Sequence, residues 1–183
     1  MDWQLAANRN GHVACTHGNV VIIRALLSAK ADASARAPGG DTMLMLAARN
    51  GQRDAVQALL ENGAQADVGN DGQTALMWAA AEGHAPVIEA LLARGADVKT
   101  RSNGGFTALL FAARRMLVQM TGWLAARHAA TRTIEFTLVH EDRDPSPLVV
   151  HLADASNDEE RMTALLRELL GRTQLAAPVY ELH

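Results

Sequence analysis

Between Gly40 and Arg114 one stretch of sequence is written nearly three times. Gly-Asp-Thr-Met-Leu-Met-Leu-Ala-Ala-Arg-Asn-Gly (Gly40–Gly51) returns as Gly-Gln-Thr-Ala-Leu-Met-Trp-Ala-Ala-Ala-Glu-Gly (Gly72–Gly83), then as Gly-Phe-Thr-Ala-Leu-Leu-Phe-Ala-Ala-Arg (Gly105–Arg114). Thr42, Thr74 and Thr107 stand 32 and then 33 residues apart, and Ala47-Ala48, Ala79-Ala80 and Ala112-Ala113 take the same steps. Leu26-Leu27, Leu59-Leu60 and Leu91-Leu92 step by 33 and then 32, so the missing residue lies between Leu60 and Thr74. Units this short cannot cover their own apolar faces, so they must cover one another.

Within a unit the pattern reads as two helices. In residues 37 to 69, Thr42 can cap a helix running to Asn50, Gly51 permits a tight reversal, and a second helix runs from about Arg53 to Glu61. Asn62-Gly63 closes it with residues that tolerate positive φ, and Val56, Leu59 and Leu60 point at the neighbouring unit. Residues 70 to 102 repeat the plan: Pro86 opens the second helix, Val87, Leu91 and Leu92 bury, and Gly95 ends it. Asn70-Asp71-Gly72 and Ser102-Asn103-Gly104-Gly105 are turn signals.

A period near 33 carrying T-x-L-x-x-A-A, a Gly, V/I-x-x-x-L-L and Gly-Ala-Asp resembles the ankyrin family over about residues 8 to 114. The resemblance implies an all-α solenoid of paired antiparallel helices. Finger loops project between the units, and the inner face and finger tips bind other proteins. It implies no chemistry, no cofactor and no metal. The partner surface it marks out is Pro38, Asp41, Arg49 and Asn50 in one unit, Asn70, Asp71, Gln73 and Glu82 in the next, then Asn103, Phe106 and Arg114. Phe106 stands where other units carry Asp41 and Gln73, and is read as an exposed anchor. Trp78 and Phe111 share the slot of Leu46 and are read as inter-repeat core. The family's T-P-L-H has become Thr-Met-Leu-Met, Thr-Ala-Leu-Met and Thr-Ala-Leu-Leu, so Met45, Met77 and Leu110 must fill the space a hydrogen-bonded His would take.

The ends depart from the pattern. Residues 1 to 36 form a partial repeat, with two competing registers for its first helix, Ala14-Cys15 or Leu5-Ala6-Ala7 against the Ala-Ala pair, and that helix is expected to be irregular. Val21, Ile22, Ala25, Leu26 and Ala29 mark the apolar face of its second helix. Lys30 replaces the usual helix-ending Gly. Two full repeats and the start of a third occupy 37 to 114, and 115 to 183 hold an irregular segment and a degenerate C-terminal capping repeat. In that last part Arg114 to Ala130 reads as a helix with Met116, Leu117, Met120, Trp123 and Leu124 on one face. Thr133 to His140 alternates as a strand, and Glu141 to Pro147 reads as a charged loop. Ser146-Pro147-Leu148 is similar to the start of another unit. Ser156 and Glu159 fit a capping box before a Met162, Leu165, Leu166, Leu169 and Leu170 stripe that stops at Gly171.

Composition narrows the function classes. Residues 1 to 113 hold 9 basic and 10 acidic side chains and the remainder 8 and 10, so no basic block marks a nucleic-acid binder. No run approaches the ~18 apolar residues of a membrane span, and the opening residues show no secretory signal, which gives a cytoplasmic expectation. Cys15 has no partner for an internal disulfide. His12, Cys15 and His17 are three metal-ligand side chains in six residues, but a helix turns His17 away from the other two. No G-x-S-x-G, H-E-x-x-H, P-loop or G-x-G-x-x-G occurs. The competing reading is a small hydrolase-type enzyme with a site around His128, His140 and His151, assisted by Asp142 or Asp154. Exposed end repeats offer a route to self-association.

Overall fold

Helix pairs come first and a sheet follows. The computed structural model describes residues 3–140, 143–173 and 181–182, with side chains for 8–138 and 144–173. The chain divides into two units, Met1–Phe111 and Ala112–His183.

The first unit contains α1 (Trp3–His17), α2 (Val20–Ser28), α3 (Met43–Arg49), α4 (Arg53–Glu61), α5 (Ala75–Glu82), α6 (Ala85–Leu92) and the first turn of α7 (Ala108–Ala126). The repeated threonines set the starts of three helices. Thr42 Oγ1 accepts from Met45 N at 3.1 Å, Thr74 from Met77 N at 3.4 Å and Thr107 from Leu110 N at 3.3 Å, each satisfying a donor that the helix leaves orphaned. The reversals also repeat. Gly18, Gly51 and Gly83 sit at φ 73, 71 and 74, and the next residue's N–H closes onto Ala14 O, Ala47 O and Ala79 O at 3.0, 3.0 and 2.9 Å. These bonds select the Ala14-Cys15 register over its competitor. They also correct the expected irregularity at the N-terminus, because α1 is one continuous helix through both candidate registers.

At the end of α2, Lys30 adopts φ 66, which matches the left-handed Gly63 (91) and Gly95 (82) in later units. The same closing bond follows in all three: Ala31 N to Leu26 O, Ala64 N to Leu59 O and Ala96 N to Leu91 O. The turn is kept despite the lost glycine.

The core follows the helix pairs. Leu44, Met45, Ala47, Ala48, Val56, Leu59, Leu76, Met77, Ala79, Val87 and Leu91 are buried, and Met45, Met77 and Leu110 do fill the vacated His positions. Leu60, Leu92 and Ala112 are half-buried instead of fully covered, with Ala55, Ala58 and Ala113 taking buried places beside them. On α2 the expected face is corrected. Ile23 and Leu27 are buried, Leu26 is half-buried, and Val21, Ile22, Ala25 and Ala29 are exposed. Val20-Val21-Ile22-Ile23 is apolar on every side, so periodicity alone cannot say which side packs.

The second unit holds more sheet than the one short strand expected in the C-terminal part. Beyond α7 it carries β1 (Thr131–His140), β2 (Arg143–Ser156), α8 (Glu159–Arg172) and β3 (Glu181–Leu182), with antiparallel strands in the order β2-β1-β3. Ile134 pairs with Val150 and Phe136 with Leu148, so their shared face buries together with Leu138 and Leu152. The strand read over Thr133 to His140 is present and two residues longer. Glu141 and Asp142 of the expected loop lie outside the described residues. Asp144 to Pro147 belong to β2, and Ser146-Pro147-Leu148 is strand, not the start of a helical unit. As an edge strand with a register shift beside Pro145, β2 can hold Pro145 and Pro147.

Helix α8 begins differently from the expected capping box. Asp158 Oδ1 accepts from Glu160 N and Arg161 N, at 3.0 and 3.3 Å, while Ser156 Oγ accepts from Asp158 N at 3.1 Å. The helix also passes Gly171 and ends at Arg172. Met162 and Leu166 are its buried residues. In α7 the covered line is Ala113, Leu117, Thr121 and Leu124, whereas Trp123 is exposed with the Arg127 guanidinium over its ring.

Candidate protein-binding surface

Burying Met45 and Ala48 turns Leu46, Arg49 and Asn50 outward, because positions i, i+3 and i+4 share one side of a helix. Leu46 is half-buried and Arg49 and Asn50 are exposed. Trp78 occupies the corresponding place on α5 and Phe111 that on α7, and both are also half-buried, which corrects their assignment to the core. Val13, the equivalent on α1, is 54% exposed. Each first helix thus contributes one apolar side chain at one register. Sequence reasoning found this slot but gave it the wrong role, since an apolar residue in a helical repeat reads by default as core. The usable signal was its phase, one residue past the buried Met45, Met77 and Leu110 and so about 100° around the helix.

Arg49 reaches across to the next unit and lies over Trp78, 5.2 Å from the ring centroid. An exposed cation–π contact of this kind contributes about 0.5–1 kcal/mol. From the same backbone, Arg49 O accepts from His84 Nε2 at 3.0 Å. A carbonyl can only accept, so this ring nitrogen carries the proton. This bond ties one unit to the previous one. The His84 ring lies 2.8 Å from where a Cβ on Gly51 would stand, so Gly51 serves both the positive φ and the neighbour's imidazole.

The fingers are tied in the same way. Arg36 Nη1 donates to Gly40 O at 2.7 Å and to Gly69 O at 3.1 Å. Asn70 Nδ2 donates to Gly39 O at 2.8 Å and to Asp41 Oδ1 at 3.0 Å, and Asn103 N donates to Asp71 O at 3.3 Å. Of the residues expected to contact a partner, Asn70 and Asp41 are therefore committed to joining fingers. Asn50 donates through Nδ2 to Leu46 O at 2.9 Å. Pro38, Asp71, Glu82 and Asn103 are exposed, and Gln73 is half-buried. Phe106 is half-buried rather than fully exposed, with its ring 5.5 Å from that of Phe111 and tilted by 37°. Arg114 belongs to the second unit, where its Nε and Nη2 both lie 3.1 Å from Glu159 Oε1.

The titratable side chains weighed for chemistry have other work. His12 donates from Nδ1 to Asn8 O at 2.7 Å and His17 from Nδ1 to Val13 O at 2.8 Å. Cys15 is buried, and desolvation pushes its thiol up to about 12, which keeps it protonated and inert at neutral pH. Among the described residues no group of three or more His, Cys, Asp or Glu could hold a metal. The hydrolase-type reading draws no support from this arrangement. His128, His151 and Asp154 are exposed, and the His140 side chain and Asp142 lie outside the described residues. No described helix is long and apolar enough to cross a membrane.

Capped helix pairs, repeated reversals and bridged fingers define a tandem helical-repeat protein. The family model described as ankyrin repeats (3 copies) matches residues 11–102 and 65–134. The chain belongs to the ankyrin repeat family. Repeats of this family are generally protein–protein interaction modules and are typically non-enzymatic. No curated protein matches the chain.

Proposed function

We propose that the first unit is a protein-binding module, its repeats stacked as a solenoid, which grips a partner with its finger tips and the outward side of its first helices. One observation carries this reading: the same helical register presents Val13, Leu46, Trp78 and Phe111 at least partly to solvent, and Arg49, Asp71, Glu82 and Asn103 are exposed as well. Four apolar side chains kept at one phase are a surface feature of the array, not of a single unit. Backbone and side-chain ties between fingers hold Asp71 and Asn103 in place before binding, which lowers the ordering cost of association.

The surface mixes charges around an apolar row, as protein interfaces do, and residues 1 to 113 carry no excess of basic over acidic side chains. The partner is therefore a protein rather than a nucleic acid. Crosslinking of the full chain to a bound protein tests the placement. Crosslinks are expected at the fingers and first helices, with binding lost on Arg49→Glu or Asp71→Lys and kept on Arg53→Glu or Glu89→Lys. Crosslinks confined to α2, α4 and α6 would place the interface elsewhere and overturn the reading.

A further inference from the structure

We infer that the side of α2 turned away from α4 is a docking face for a second copy of this chain, which seats its α6 there as one more helix of the same series. This surface is separate from the fingers and first helices above. The second helices of the first unit form a series in which α2 packs on α4 and α4 on α6. The closing bonds at Leu26, Leu59 and Leu91 fix equivalent positions along it, and exposure at those positions separates two sides. Ile22 is 44% exposed, whereas Ala55 and Val87 in the same slot are 0%. Leu26 is half-buried where Leu59 and Leu91 are buried, and Ala25 is exposed where Ala58 is buried. These slots therefore face the preceding helix of the series, and on α2 they are apolar and stay partly open among the described residues.

The other side closes on the following helix. Ile23 and Val56 are buried, but Ile88 in their slot on α6 is half-buried, and so is Leu92 one turn on. Helix α7 runs straight through the position where α3 and α5 reverse at Gly51 and Gly83, so the first unit has no further second helix to cover α6. Inside the series, Ile23 and Leu27 close on the side carrying Ala55 and Leu59, and Val56 and Leu60 on the side carrying Val87 and Leu91. Ile88 and Leu92 at one end, with Ile22 and Leu26 at the other, repeat those two half-sets. A terminal repeat normally carries a polar outer face; α2 keeps the apolar set of an interior helix.

Charge selects the occupant. Arg24, Gln57 and Glu89 share one exposed slot along the series, so its two ends carry opposite signs. Among the described residues neither Arg24 nor Glu89 is in an ion pair. Side chains of this length do bridge consecutive helices here: Arg94, just past α6, lies 3.5 Å from Glu61 at the end of α4. A copy that adds α6 to α2 brings Glu89 to Arg24, whereas α2 has no acidic residue of its own to offer a second α2. Complementary signs across a contact fix its register. Each copy keeps one of the two sides free, so copies add in an open chain instead of closing as a pair. A contact one helix wide belongs to the weak end of interface sizes, which makes assembly depend on concentration.

Sedimentation equilibrium of the full-length chain at rising concentration tests this. The weight-average mass is expected to climb past that of a dimer without a plateau. Ile22→Glu should hold the chain at its monomer mass, with circular dichroism checking the fold. Arg24→Glu and Glu89→Lys, both at exposed sites, should each raise the concentration at which half the copies are associated by about fivefold. The two together in one chain should restore it, because the signs are exchanged. A monomer mass throughout overturns the inference, and so does association that survives Ile22→Glu in a folded chain. A plateau at the dimer that is weakened by Arg24→Glu and not rescued by Glu89→Lys would mean that α2 pairs with α2, and overturns it too. Should Ile22→Glu fail to fold, loss and rescue by the exchanged charges decide the matter. Glu89→Lys leaves binding of the protein partner intact in the reading above, so the two surfaces are read apart.

Discussion

Lys30 shows how far the repeat plan constrains a single residue. It sits at φ 66 in a slot that Gly63 and Gly95 fill elsewhere, and a left-handed conformation costs an L-residue about 1–2 kcal/mol. Its closing bond, Ala31 N to Leu26 O at 2.9 Å, is kept all the same, so the surrounding contacts outweigh the strain. Lys30→Gly is expected to stabilise the chain by about 0.5–1 kcal/mol after the added entropy of the unfolded glycine is subtracted, read as a higher urea midpoint with unchanged slope. Cys15 provides the alkaline counterpart. Burial raises its pKa from 9.0 to about 12, so the folded chain holds a proton that the unfolded chain releases. Stability from this source is fully present below about pH 9 and drains away as pH rises towards 12. Cys15→Ala should flatten that alkaline decline, as followed by denaturant melts across the window. A decline as steep as before would assign it to other groups.

At the scale of elements, the starts of α3, α5 and α7 were legible because one residue type, threonine, recurs in one slot with one geometry. The packed side of α2 was not, since four consecutive branched apolar residues carry no phase, and only the presence of α1 and α4 beside it selects Ile23 and Leu27. The choice has a measurable signature. Ile23→Ala should cost about 2–4 kcal/mol as a buried truncation, whereas Val21→Ala, at a site 78% exposed, should stay within about 0.5 kcal/mol. Equal costs in thermal melts would return Val21 to the core. Strand β1 was readable from Ile134, Phe136 and Leu138, but Pro145 and Pro147 disguised β2 as a loop, because proline is compatible with a strand only once the strand is known to be an edge. The apolar row was visible as a register and invisible as a surface. Burial depends on what packs outside a helix, and a single chain's periodicity does not report it.

For the whole molecule, the sequence marked a change of character after Ala113, and the division falls between Phe111 and Ala112. Each side has its own buried residues, Leu59 and Leu91 in one and Phe136, Leu148, Met162 and Leu166 in the other. Separate cores predict that unfolding is not a single two-state event. Trp78 reports the first unit and Trp123 the second. Single-tryptophan variants retaining one or the other are expected to show urea transitions that do not coincide, and Leu59→Ala, a loss of about 2–5 kcal/mol, should move the Trp78 transition alone. Superimposable curves would mean that the two cores melt together.

The His84 imidazole rests against the space left by the missing side chain of Gly51 and holds the Arg49 carbonyl. Half of that fitting is encoded in each of two consecutive units, so the units are not interchangeable bricks. A unit transplanted alone into another array would arrive with a glycine that no imidazole covers or an imidazole with nowhere to rest. A working graft from this chain has to carry the stretch from Arg49 to His84 intact.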